Sequence, residues 1–302
     1  MLHERLVTGV VLIAGLLGLL WLDARLECMV ECRGEALPWW TGGASGLALA
    51  AVAILGIAPI AGVELARLLR GAGIATPTWL VVAAALLGVM AMRVAPAVPG
   101  SGAGAGVVAG AGWLVAVAAF VALAPARRMD GTVAAVGGAL FAFVYIGLMI
   151  GVWLLVRREA SVWTVAGAVL TIKASDSGAY FTGRMLGRHK LIPWLSPGKT
   201  WEGFLGGVLW AAVAGGALAW WSQSAEDSAE RIPVLLGAMG GALLGVVAPA
   251  GDLVESLLKR SAGRKDSGGL LPGMGGALDV LDSLLLAGPV VYGLLVLRGH
   301  AS

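Results

Sequence analysis

Charge is scarce in this chain. Asp, Glu, Lys and Arg make up 13% of its 302 residues, about half the share of an ordinary soluble domain. Hydrophobic residues make up 59%, so a water-facing globular enzyme is excluded and most of the chain must live in lipid. Cysteine is scarcer still. Cys28 and Cys32 are the only two, which excludes both a disulfide framework and a four-ligand zinc site. They sit in CMVEC, read as part of the first outside loop, where a disulfide and two free thiols both stay open. Histidine occurs only as His3, His189 and His300. That disfavours a His-based hydrolase, and His189 reads as an interfacial donor rather than a general base. A net charge of +3 is too weak for a nucleic-acid partner.

Apolar runs are plentiful. Stretches of about 17–25 residues suffice for a span, and nine occur, at 6–22, 44–63, 77–95, 107–124, 132–156, 161–183, 203–221, 233–250 and 277–297. The expected fold is all-α, a polytopic membrane protein with about nine transmembrane helices. It divides into N-terminal helices, 1–130, and a C-terminal domain, 131–302, carrying the chemistry. The sixth run is the poorest, since Lys173, Asp176 and Arg184 lie in or beside it. The first begins right after Arg5 and is long enough to remain as a span rather than a cleaved signal. Trp21, Trp39, Trp40, Trp79, Trp153, Trp201, Trp220 and Trp221 mark borders, as in an interfacial belt. Gly, at 47 residues, suits helices that approach closely, and the low-complexity run 100–112 reads as a flexible linker entering such a helix.

Lys and Arg then orient the chain. With the N-terminus inside, Arg5, Arg67, Arg70, Arg127, Arg128, Arg184, Arg188, Lys190, Lys199, Lys259, Arg260, Arg264 and Lys265 are cytoplasmic. Those thirteen face seven outside, Arg25, Arg33, Arg93, Arg157, Arg158, Arg231 and Arg298, with Lys173 left inside a span. The bias puts loops 184–202 and 251–276 in the cytoplasm.

The polar residues that need a reason lie in those two loops and in the adjoining spans. Asp252, Glu255, Ser256 and Lys259 fall at i, i+3, i+4 and i+7, one helical face. Asp279 and Asp282 are i and i+3, as are Lys173 and Asp176. Lys and Arg near a span end can snorkel to water, but a short carboxylate cannot. Acidic oxygens select a hard cation such as Mg²⁺, which binds one or two carboxylates plus phosphates. The neighbouring cations suit a polyphosphate, and the Gly-rich backbone at 268–276 offers amides to the same anion. Two tempting motifs fail. GKT at 198–200 has Pro193 where a P-loop needs its first Gly. GMGGAL at 273–278 lacks the last Gly of a dinucleotide fingerprint.

GDLVESLLKR, KDSGGLLPG and the D-x-L-D-S of 279–283, with the earlier DSGAYFTGRMLGRHKL and SPGKTWEG, resemble the signature of the phosphatidate cytidylyltransferases, the CDP-diacylglycerol synthases. The resemblance covers 173–206 and 251–283. It implies a multi-pass enzyme of the inner (cytoplasmic) membrane, its site facing the cytoplasm, that joins CTP and phosphatidate into CDP-diacylglycerol and pyrophosphate with Mg²⁺. By motif position, Asp252 and Asp279 would be the metal acids and, with Lys259 and Asp282, the catalytic set. Ser256, Arg260, Lys265 and Asp266 belong to the signature around them. Ser196, Lys199, Thr200 and Glu202 match the earlier block, and Lys173, Asp176 and Arg264 complete the expected substrate-binding set. The family usually has His where this chain has Met274, Arg for Val280 and Lys for Gly198, which puts substrate preference or rate in doubt. A CTP-dependent polyprenol or dolichol kinase and an ion-coupled transporter are the rival readings. Membrane lipid is the expected partner, and a homodimer is left open.

Overall fold

The computed structural model describes residues 2–33, 43–100, 102–124, 130–224, 231–270 and 275–301. Helices dominate. Among the described residues, eight stretches are long and apolar enough to cross a membrane: Thr8–Arg33, Leu47–Gly71, Thr78–Ala97, Ala103–Leu123, Thr132–Glu159, Trp201–Ser222, Val234–Ser261 and Ala277–Arg298. Large apolar side chains such as Val10, Trp113, Val121, Leu209 and Leu235 stand outward, the arrangement expected of a protein solvated by lipid. The chain forms two compact units. One comprises Met1–Arg158 and Leu258–Val280, the other Glu159–Leu257 and Leu281–Ser302.

The first unit begins with α1, Leu2–Arg33. The rod Leu47–Gly71 follows, made of α2 (Leu47–Val52), a wider π turn and α3 (Ala58–Gly71). Then come α4 (Thr78–Val94), α5 (Ala103–Leu123), and a rod of α6 (Thr132–Ala142), a second π turn and α7 (Met149–Glu159). Small residues let backbones touch. A Cβ on Gly88 of α4 would lie 2.6 Å from the Phe143 carbonyl, and one on Gly147 2.6 Å from that of Ala85. The rod 132–159 therefore packs on α4, within the first compact unit. The run 100–112, read as a linker, is helical from Ala103 onward.

Helix α1 outlasts its expected span by eleven residues, so CMVEC is helix rather than loop. Cys28 and Cys32 are free thiols on its exposed side, one helical turn apart, with sulfurs 3.8 Å from each other. What holds the extension is Asp23, which is fully buried. Its carboxylate accepts from the Gly46 and Ala48 amides at 3.1 and 2.9 Å and from Arg157 Nε at 2.8 Å. It thus caps α2 from a distant helix and pairs with the last turn of α7. Trp39 and Trp40 lie outside the described residues.

The second unit opens with α8, Val162–Leu186. A hairpin of β1 (Lys190–Ile192) and β2 (Ser196–Thr200), the only strands among the described residues, leads into α9 (Trp201–Ser222). Helices α8 and α9 pack antiparallel along their whole length. Gly167 faces Leu218, Gly178 meets Trp210, Gly206 meets Thr182, and Gly183 meets Gly203. Helix α8, at 25 residues, is long enough to span beside α9 although Lys173 and Asp176 interrupt its apolar run, and it is the ninth long helix among the described residues. The unit continues with most of α10 (Val234–Ser261) and of α11 (Ala277–Ala301). Gly241 sits where a Cβ would be 2.2 Å from the Ala211 carbonyl, seating α10 on α9.

Candidate active site

In the second unit, Gly251 has no side chain to hold α11 away: a Cβ there would lie 2.2 Å from the Asp282 carbonyl. This approach gathers three acids. Asp252 and Glu255, one turn apart on α10, and Asp282, in the second turn of α11, each offer a carboxylate oxygen within 4.8 Å of the others. Glu255 is fully buried and Asp282 is 9% exposed. Three carboxylates at this spacing repel unless positive charge lies among them. Lys199 supplies some, with Nζ 2.7 Å from Asp252 and 3.1 Å from the Pro249 carbonyl. Ser256 Oγ lies 3.5 Å from Asp252. A closed triangle adjoins Asp282 in sequence. Lys173 Nζ donates to Asp176 and to Ser283 Oγ, both at 3.0 Å, and Ser283 Oγ donates to Asp176 at 3.3 Å. The all-oxygen donor set suits a hard divalent cation.

Asp279 lies in the first unit and has other partners. Its Oδ1 takes Lys259 Nζ at 2.6 Å. Its Oδ2 takes the Ser267 amide at 3.0 Å, the Ser267 hydroxyl at 2.8 Å and the Gly276 amide at 2.7 Å. The last bond is half of a capping box, the third residue of α11 reaching back to the amide before the helix. Asp252 and Asp279, the pair that the motif names as metal acids, belong to different compact units, and both Asp279 oxygens have partners within the protein, Lys259 and the residues that open α11. Of the amides read as an anion cradle, that of Gly276 is engaged by Asp279, and the next two along the chain, Ala277 and Leu278, by Glu64.

Two residues were not read from the sequence as site residues. Glu255 was on the recognised helical face, and that spacing was the signal that could have found it. Glu64 gave no signal, because its partners are more than two hundred positions away.

The earlier block divides by role. Lys199 joins the acids. Thr200 is 94% buried by its 6% exposure, and its Oγ1 caps α9 by accepting the Gly203 amide at 3.1 Å. Glu202 binds His189 Nδ1 at 2.6 Å and the Arg188 amide at 3.1 Å, which pins the hairpin to α9. Ser196 pairs with Ile192 in the hairpin. Arg260, Arg264, Lys265 and Asp266 are exposed at and beyond the end of α10. Val280 is half-buried and Gly198 exposed, while Met274 lies outside the described residues.

Comparison with known proteins gives a consistent answer. The model of the cytidylyltransferase family matches residues 39–297. The chain is 46% identical over 129 residues to a phosphatidate cytidylyltransferase of Brucella suis biovar 1 (strain 1330), covering 43% of this chain and 45% of that protein. It is 40% identical over 164 residues to a phosphatidate cytidylyltransferase of Bacillus subtilis (strain 168), covering 54% and 59%. A third, from Pseudomonas aeruginosa, is 40% identical over 135 residues, covering 45% and 48%. The aligned part spans about half the length of the curated relatives it matches.

Proposed function

The chain belongs to the cytidylyltransferase family, and from that premise we propose that it transfers the cytidylyl group of CTP to phosphatidate, giving CDP-diacylglycerol and pyrophosphate. The observation that carries the reading is the convergence of Asp252, Glu255 and Asp282, with Lys199 beside them, on helices long enough to span a membrane. The three acids would hold Mg²⁺. Bound there, Mg²⁺ would neutralise phosphate charge and favour an in-line displacement.

The chain's own residues do the rest. A phosphate oxygen of the lipid forms the new bond to the α-phosphorus, and the bond from that phosphorus to the bridging oxygen breaks, so pyrophosphate leaves. The attacking oxygen is ionised at neutral pH, so no general base is needed, in keeping with the chain's three histidines. The obstacle is repulsion between two polyanions. Lys173 and Lys199, in the same unit as the three acids, reduce it, and Lys259, Arg260, Arg264 and Lys265 are the further cations that the family signature supplies. Asp279 holds Lys259 by its 2.6 Å ion pair. The site faces the cytoplasm of the inner membrane in this reading, where CTP arrives.

The test is purified protein in detergent with CTP labelled at the α-phosphate, Mg²⁺ and phosphatidate. Label entering lipid together with pyrophosphate release is the expected result. CDP as the by-product would mean γ-phosphate transfer, a kinase, and would sink the proposal.

A further inference from the structure

Glu64 is an acid for which the proposed reaction has no direct use. It lies in α3, is 3% exposed, and precedes its partner Ser267 by 203 residues. A buried carboxylate is costly unless its oxygens are satisfied, and these are. Oε1 accepts the Ala277 amide at 3.0 Å, and Oε2 accepts the Leu278 amide at 2.9 Å and faces Ser267 Oγ at 3.2 Å. The two amides open α11, where N–H groups have no partner within the helix and the positive end of the helix dipole favours an anion. With Asp279 on the Gly276 amide, two acids satisfy three successive donors. Ser267 is the joint between them, since its hydroxyl lies 3.2 Å from Glu64 and 2.8 Å from Asp279. Two glycines of the signature find their reason here as well. A Cβ on Gly268 would lie 2.3 Å from Glu64 Oε1, and one on Gly276 within 2.6 Å of both Glu64 oxygens.

We propose that Glu64 is a positioning residue: its carboxylate is the internal anion that ties Ser267 and Gly268 to the first residues of α11, and it thereby holds Asp279 where Asp279 can orient Lys259. Its effect on rate rests on the cytidylyl-transfer reading. Its effect on the segment tied in this way does not.

The experiment uses the full chain in detergent with four changes: Glu64→Gln, which keeps size but loses charge; Glu64→Asp, which keeps charge; Glu64→Ala; and Gly268→Ala in both the wild-type and the Glu64→Ala background. Two quantities are followed. One is the rate of tryptic nicking after Arg264 and Lys265, which are exposed and become cleavable as the segment opens. The other is kcat and KM for CTP. Glu64→Gln should speed nicking about tenfold and lower kcat about a hundredfold, the loss that a misplaced group of about 1 Å brings, with KM for CTP within about threefold. Glu64→Asp should recover at least about a tenth of the wild-type kcat. Gly268→Ala should act like Glu64→Gln alone yet add nothing once residue 64 is Ala. Wild-type nicking and kcat in Glu64→Gln would overturn the proposal. So would equal losses in Gln and Asp variants with Gly268→Ala fully additive, which is the mark of packing alone. A wild type inert towards phosphatidate, with the nicking order intact, would overturn cytidylyl transfer and support the role of Glu64 in the segment.

Discussion

Removing one negative charge at a time separates the two acidic groups. Asp252→Asn, Glu255→Gln and Asp282→Asn keep volume but remove a ligand from the converged trio. Each should lower the rate by at least about 10- to 100-fold, the loss seen when merely the partners of metal ligands are changed, and should raise the Mg²⁺ concentration needed for half-maximal rate. Asp279→Asn should slow the reaction with that concentration unchanged, because its oxygens serve Lys259, Ser267 and Gly276. Initial rates against Mg²⁺ decide it, and the opposite pattern would return the ion to the pair read from the motif. Val280 offers a second test. It follows Asp279 directly and is half-buried, where the resembling family carries Arg. Val280→Arg with Met274→His should raise the rate about ten- to a hundredfold, the worth of one charged hydrogen bond. A slower double variant at every phosphatidate concentration would mean that the phosphate is held elsewhere. Much of this site was legible because helical spacing is periodic: Asp252, Glu255 and Ser256 share a face whatever surrounds them. What Asp279 does was not, because Glu64, which shares Ser267 with it, has no local pattern to announce it.

The helices were legible by hydropathy where they face lipid and illegible where polar groups pair at long range. Eight of nine expected spans recur as apolar helices. The continuation of α1 to Arg33 did not show, because Asp23, Glu27 and Glu31 read as a water-facing loop. Asp23 is instead buried against Arg157, 134 residues on, and Arg157 also pairs with Glu27. Asp23→Ala would leave the 3%-exposed Arg157 short of a partner and strip the cap from α2. It should therefore destabilise the protein by about 3–5 kcal/mol. The denaturation midpoint in detergent measures this, and a loss below about 1 kcal/mol would show that the cluster holds little. The charges of α8 hid its nature in the same way. Only its neighbour reveals it, since Gly167, Gly178 and Gly183 lie against the length of an apolar α9.

Whether α8 crosses decides the sidedness of the whole chain in a way that charge counting alone does not. With α8 crossing and the N-terminus inside, thirteen Lys and Arg are cytoplasmic and seven outside. If α8 did not cross, the best orientation would invert the N-terminal half. Arg25, Arg33, Arg93, Arg157 and Arg158 would then replace Arg5, Arg67, Arg70, Arg127 and Arg128 inside, five for five. With Lys173 then also inside, the bias is fourteen to seven and points the same way, so both arrangements keep Arg184, Arg188, Lys190, Lys199 and the 259–265 cations in the cytoplasm. They differ in where Cys28 and Cys32 lie. The antiparallel packing of α8 on α9 supports the crossing form, and in that form we propose that both cysteines lie outside. In intact cells an impermeant maleimide should therefore label the native cysteines. It should leave Asp266→Cys, in a Cys28→Ser, Cys32→Ser background, unlabelled until the cells are opened. Protected native cysteines with a protected position 266 would remove α8 from the membrane. A position 266 labelled from outside would put the proposed site on the wrong side for CTP, and the charge asymmetry would then have misdirected the reading of the chain as a whole.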